Sequence, residues 1–258
     1  LYYNYMKQEI INKPTESKKI LIGGILIIFI LLVLLVLYYN SSKDYILLIE
    51  NTQALFNDYE RIIRSDRLSN PNGYKMTYIL WLYFDNNNES SNWFSNFTDN
   101  KYILDRNGTP SIKYNPSRQS LVIEVKIKDV YNKDDNTIEL RTKKQMFEIF
   151  NIPIQRWTQL AVVFNNRYID VYMDTVLYKT IFLDNVPVFN NADVILGRKR
   201  HNPNCFVGIV EYKPDIITLT ELNALYIRWN GRLKIDPTLR GKIQTELNEM
   251  KYTDIPRN

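Results

Sequence analysis

The longest apolar stretch of the chain, residues 20–37 (ILIGGILIIFILLVLLVL), contains no charged and no polar side chain. A helix needs roughly 20 mainly apolar residues to cross the hydrocarbon layer of a bilayer. Tyr38 and Tyr39 stand where interfacial aromatics gather, so the pattern predicts one membrane span over 20–39. A cleaved signal peptide has a shorter apolar core and a small-residue cleavage site; this run ends in Leu37-Tyr38-Tyr39-Asn40. Lys18 and Lys19 abut its N-terminal side, while Lys43 and Asp44 nearly cancel on the other. The positive-inside rule therefore assigns 1–19 to the cytoplasm and the rest of the chain to the far side of the membrane.

Beyond the span the pattern changes twice. Leu48, Thr52, Leu55, Tyr59 and Ile62 recur at the spacing of one helical stripe, which predicts a helix over 44–66 within a stalk or linker covering 40–70. Ser69-Asn70-Pro71-Asn72-Gly73 then breaks the chain. From Lys75 the rhythm becomes that of short strands. Leu121, Ile123, Val125 and Ile127 alternate with Val122, Glu124, Lys126 and Lys128, the period-2 signature of a strand with one wet face. Residues 76–84 are apolar almost throughout, as in a strand covered on both sides. Further strands are expected at 101–105, 111–114, 137–140, 145–150, 158–164, 168–173, 176–182, 193–197 and 206–212. Asn165-Asn166 supplies a hairpin turn, because asparagine tolerates positive φ. Thr218-Leu219-Thr220-Glu221 has the spacing of a capping box and opens a short helix. Asp236-Pro237 starts a second one over 238–250, striped by Leu239, Ile243 and Leu247.

The expected architecture is an all-β jelly-roll sandwich over 71–228, preceded by a transmembrane helix and a helical stalk and followed by a helical tail over 229–258.

Composition narrows the chemistry. The chain has four alanines (Ala54, Ala161, Ala192, Ala224) against 19 tyrosines, and its wealth of Ile, Asn and Lys matches A+T-rich coding. A net charge of +5 spread over 258 residues is too small to argue for nucleic acid. One cysteine, Cys205, excludes an intramolecular disulfide. His201 is the only histidine, so every nucleophile–histidine mechanism would have to converge on it. Asp170 and Asp174 are the nearest approach to a carboxylate pair, and they read as a strand face and a turn. No zinc cluster or phosphate-cradling glycine loop occurs. The expectation is a protein that is not an enzyme and that holds no resident cofactor; the oxygen-rich runs 85–89 and 132–136 leave calcium open.

Residues 75–228 resemble the laminin-G-like branch of the concanavalin A-like superfamily. The resemblance is carried by the strand through Trp81, the run Lys101-Tyr102-Ile103-Leu104-Asp105-Arg106, and Trp157 before a hydrophobic strand. The hairpin that follows, and Gly197 with Phe206 and Gly208 near the end, complete the order. One departure stands at Thr175, after Met173-Asp174, where the family usually has glycine. The resemblance implies a jelly roll, and the Glu-x-Asp-x-x-Glu strand of the family's hydrolases does not occur in this sequence. An apolar span, this domain and A+T-rich texture together resemble membrane-anchored virion proteins of large cytoplasmic DNA viruses.

Two functional readings follow. In the first, the chain is a minor capsid or membrane-anchor structural protein, set in a lipid bilayer at the virion's internal membrane or the membrane–capsid interface, whose jelly roll grips a coat protein. In the second it is a membrane-anchored, lectin-like attachment protein that binds carbohydrate. Contact residues expected under either are the loop aromatics Trp93, Phe94 and Phe97 and the basic cluster Arg198, Lys199 and Arg200. Asn88, Asn96 and Asn107 lie in glycosylation sequons, as does Asn40 beside the span.

Overall fold

The computed structural model describes residues 16–41, 45–55, 59–69, 73–85, 100–132, 138–199, 201–203 and 205–235. It comprises two separate units, 1–44 and 45–258.

Among the described residues, the first unit consists of the helix α1 (Glu16–Ser41), 26 residues long. Side chains are described over 24–36, and all of them are exposed around the whole circumference. On those residues alone, no helix is long and apolar enough to cross a membrane.

The second unit is a sandwich of two antiparallel sheets. Its strands are β1 (Ile46–Ile49), β2 (Gln53–Leu55), β3 (Arg61–Ile63), β4 (Lys75–Phe84), β5 (Lys101–Asp105), β6 (Ser111–Asn115) and β7 (Ser120–Asn132). They continue with β8 (Ile138–Ile149), β9 (Thr158–Asn165), β10 (Tyr168–Met173), β11 (Val176–Phe182), β12 (Val194–Leu196) and β13 (Cys205–Lys213). The seven-stranded sheet runs β1-β13-β4-β9-β10-β11, with β2 also on β13; the six-stranded sheet runs β3-β12-β5-β6-β7-β8. Alternation decides which side chains go inward. Leu121, Ile123, Val125 and Ile127 of β7 face Leu160, Val162 and Phe164 of β9 across one continuous apolar core. β4 is buried nearly end to end because α2 (Leu219–Trp229) covers the outer side of its sheet: Leu222 and Leu225 pack on Ile79, Ala161 and Val163. The expected capping box is present, with Thr218 accepting from the Glu221 backbone and Glu221 from Thr218.

The helical stalk expected over 44–66 is not found. That segment supplies β1, β2, β3 and a 3₁₀ turn, so the sandwich starts at Tyr45 rather than at residue 71. Leu48, Ile49, Leu55 and Ile63 are buried in the core, whereas Ile62, part of the supposed stripe, is exposed. Strands of three or four residues are too short to show a period, and their apolar residues mimicked helical spacing. The two strands expected at 137–140 and 145–150 are one continuous strand, β8. The tail helix expected over 238–250 lies outside the described residues.

The residues that carried the resemblance occupy structural positions. Trp81 is fully buried and stacks on Tyr226 of α2 at 5.4 Å. Trp157 and Phe206 both pack on Tyr83. Gly197 has φ +72°, and a Cβ there would sit 2.8 Å from the Tyr59 carbonyl, so only glycine fits. At Gly208 the Trp157 ring comes within 3.2 Å of where a Cβ would be.

Candidate functional site

A row of polar and aromatic side chains crosses the outer face of the six-stranded sheet. Tyr102 on β5 is directly opposite Lys113 on β6, and Glu124 lies on the neighbouring strand β7. Period-2 alternation turns Lys113 and Glu124 outward while Ile112 and Ile123 enter the core, and a register shift between Tyr102 and Leu104 lets Tyr102 face outward although Leu104, two residues on, is buried. The contacts run without a break. The Arg198 guanidinium lies 4.8 Å from the centre of the Tyr102 ring, and the Lys113 ammonium lies 4.6 Å from it. Lys113 Nζ donates to Glu124 Oε2 at 2.7 Å, and Lys144 Nζ on β8 approaches Glu124 Oε1 at 3.0 Å.

The loop after β12 sets Arg198 in place. Gly197 N donates to Ile103 O at 2.9 Å, and Tyr102 N to His201 O at 2.7 Å, which ties the loop along β5. Asn202 is buried and clamps the turn: its Oδ1 accepts from Arg198 N, and its Nδ2 donates to Tyr59 O at 2.7 Å.

The electrostatics of the row are asymmetric. Within the row Arg198, Lys113 and Lys144 share one carboxylate, Glu124, and Asp105 acts on Lys144 as a weaker, more distant charge. Burial pushes the Glu124 carboxyl up, but hydrogen bonds and charge from Lys113 and Lys144 outweigh it and hold the group below the usual carboxylate range. Lys144 is raised in turn, chiefly by its hydrogen bond to Glu124. Lys113 and Glu124 are almost fully buried, whereas Arg198, Lys199 and Lys144 are exposed. The accessible charge is therefore cationic.

Of the residues expected from sequence, Arg198 belongs to this row and Lys199 sits exposed beside it. Arg200, Trp93, Phe94, Phe97, Asn88 and Asn96 lie outside the described residues. Asn107 is exposed at φ +49°, and its Oδ1 accepts from Lys126 Nζ at 3.2 Å. Tyr102, Lys113, Glu124 and Lys144 were missed. Their polar alternation was visible in sequence, but the register joining four strands was not.

The candidate carboxylates are committed to the fold. Asp170 accepts from the Thr180 hydroxyl at 2.6 Å, and Asp174 accepts from Arg156 and from Gln159 N, both at 2.8 Å. Among the described residues, no group of three or more His, Cys, Asp and Glu could hold a metal ion. Cys205 is buried, and desolvation drives its thiol far above the usual range, so it behaves as a small apolar residue.

A second polar cluster lies beneath α2. Trp81 on β4 pairs with Gln159 on β9, and Glu211 on β13 pairs with the neighbouring Ile79. Glu211 Oε1 accepts from Trp229 Nε1 at 3.3 Å. Trp81 Nε1, the Gln159 amide and Glu211 Oε2 have no hydrogen-bond partner among the described residues. Burial pushes the Glu211 carboxyl up, against the smaller opposing pull of Trp229 and Arg228.

The profile of the concanavalin A-like lectin/glucanases superfamily matches residues 57–211. Among solved structures, the chain is similar to a botulinum neurotoxin type G receptor-binding domain, with 14% identity and TM-score 0.44 over 71% of this chain and 44% of that one. It is also similar to the receptor-binding domain of botulinum neurotoxin D, with 10% identity and TM-score 0.48 over 70% and 47%. A third is the serotype D ligand-binding domain in complex with N-acetylneuraminic acid, with 11% identity and TM-score 0.46 over 72% and 45%. The chain spans less than half the length of each of these three structures. No curated protein sequence matches it.

Proposed function

Because the chain belongs to the concanavalin A-like lectin/glucanases superfamily, we propose that its lectin-like jelly roll is a non-enzymatic binding module, tethered by α1 as a single membrane span, that docks on the acidic surface of a protein partner. The observation that carries this reading is the unbroken row Arg198–Tyr102–Lys113–Glu124–Lys144. A half-buried aromatic ring flanked by cations offers an apolar centre with a positive rim, the arrangement that interfaces use for anchoring and orientation. Tethering is supported by the 26-residue length of α1 and by the apolar run 20–37 within it. The absence of enzymatic activity is supported by the engagement of Asp170 and Asp174 in turns and ladders. A coat or capsid protein is proposed as the partner on the sequence resemblance alone, the apolar run 20–37 combined with this domain.

Cross-linking mass spectrometry on the native membrane or particle tests the proposal. The expected result is a set of cross-links from Lys144 and Lys199 to one abundant coat protein, lost in an Arg198→Glu variant that keeps both lysines and its melting temperature. Cross-links unchanged in that variant would sink the docking row. The ring and its cations also favour a second reading, an acidic saccharide stacked on Tyr102. Arg198-dependent retention of carboxylated or sulfated glycans, with no coat cross-links, would establish that reading instead.

A further inference from the structure

The outer strand of the seven-stranded sheet is built unlike the other edges of the sandwich. β11 pairs with β10 on one side and, among the described residues, with nothing on the other. Its sequence is VLYKTIF, and every residue except Ile181 is exposed. Val176 is 68% exposed and Phe182 53%, with Leu177 and Tyr178 also open to solvent. Next to Phe182, Tyr168 of β10 is 52% exposed and packs on its ring at 5.1 Å. Edge strands are normally shortened, charged or covered, since their unpaired N–H and C=O groups invite other strands. The remaining edges follow that rule. β3 has three residues and β1 four. β8 carries the exposed charges Arg141, Lys143 and Lys144. On β11 there is a single charge, Lys179.

We infer that β11 is a docking edge that receives an extended strand of a partner protein, apolar in alternation and bearing an acidic residue opposite Lys179. Strand addition supplies main-chain hydrogen bonds, and exposed side chains on both faces supply the contacts. The register shift between Val171 and Tyr172 interrupts the ladder near Tyr178, so the added strand centres on residues 179–182.

Local charge defines the partner. Asp170 is engaged by Thr180, Asp174 by Arg156, and Asp184 by Lys143. Lys179 has no carboxylate partner among the described residues, and the Arg167 guanidinium lies 4.4 Å over the Phe182 ring at the strand's end. A second copy of the chain in the antiparallel register of full overlap would set Lys179 against Lys179. Like charges directly opposite are destabilising, which favours a different, acidic strand. This surface belongs to the other sheet from Tyr102, so the inference stands independently of the docking row.

The test uses the full chain in detergent micelles and two seven-residue peptides of alternating valine and threonine, one with a central glutamate and one with lysine there. Amide hydrogen exchange is read over 176–182. The glutamate peptide should slow exchange in 179–182 and bind about fivefold more tightly than the lysine peptide, the range of one cross-strand ion pair. Lys179→Glu should reverse that preference, while Arg198→Glu should leave it unchanged. Failure of both peptides to protect the segment would overturn the inference. So would protection that rises with protein concentration in the absence of peptide, which would identify the occupant as a second copy.

Discussion

Thr175 shows how one residue's backbone is constrained by its neighbours. The β10–β11 hairpin puts Asp174 at φ +47° and Thr175 at φ +68°. Asp174 is held there, since its carboxylate accepts from Arg156 and from Gln159 N. Thr175 is β-branched, and a left-handed conformation costs an L-residue roughly 1–2 kcal/mol. Thr175→Gly should therefore raise stability by about 0.5–1 kcal/mol after glycine's larger loss of chain entropy. Urea unfolding of the full chain in micelles measures this, and a lowered midpoint would contradict the positive φ. Asn166, at φ +56° in the preceding hairpin, needs no such relief, because asparagine enters this region readily. Sequence exposed both turns, and it marked Thr175 as the departure from pattern. It included Arg106 in the run that carries the resemblance but gave no hint of its role: the side chain is almost fully buried, donates to Tyr78 Oη at 2.9 Å and reaches the carbonyls of Ala192 and Asn190. That site is assembled from three distant segments.

At the scale of elements, legibility followed length and alternation. The strands at 101–105, 168–173 and 176–182 were read to the residue, and the helix after Thr218 was read from its cap. β1 to β3 were misread because three or four residues cannot distinguish a stripe from a buried strand. Of the polar row only Arg198 was legible, through the basic cluster it shares with its neighbours in sequence, whereas Tyr102, Lys113, Glu124 and Lys144 meet only through strand register. The cover that α2 forms over its sheet follows the same logic and has a measurable cost. Glu211 is buried under it with one oxygen that has no hydrogen-bond partner among the described residues. Burial raises its folded-state pKa. Its contribution to stability is therefore full below the unfolded pKa, about 4.3, and is lost as pH rises through the folded value. Glu211→Gln keeps an oxygen for Trp229 and cannot ionise. It should stabilise the domain by about 1–2 kcal/mol at neutral pH, with the gain shrinking toward zero near pH 4. Thermal melts of both proteins across that range decide it; a gain that persists at pH 4 would rule out the ionisation argument.

For the whole molecule, the chain divides at residue 44 into two compact units of different surface character. The sandwich buries its apolar residues between its sheets and under α2. α1 shows apolar side chains all round from Ile25 to Val36, and a helix apolar on every side is stable only where hydrocarbon or protein surrounds it. Two lysines one turn apart should therefore relocate the chain without touching the sandwich. Each costs roughly 2.5–3.5 kcal/mol at the centre of a span. The full chain made in microsomes should resist carbonate extraction, and Ile27→Lys, Leu31→Lys should release it to the supernatant with the melting of the sandwich unchanged. The same preparation reports orientation. If the far side of the membrane holds the sandwich, exposed Asn107 should accept a glycan, and Asn107→Gln should abolish that mass increment. A double-lysine variant that stays in the pellet would remove the tether from the proposed function, while leaving the docking row and the open edge to be judged on their own tests.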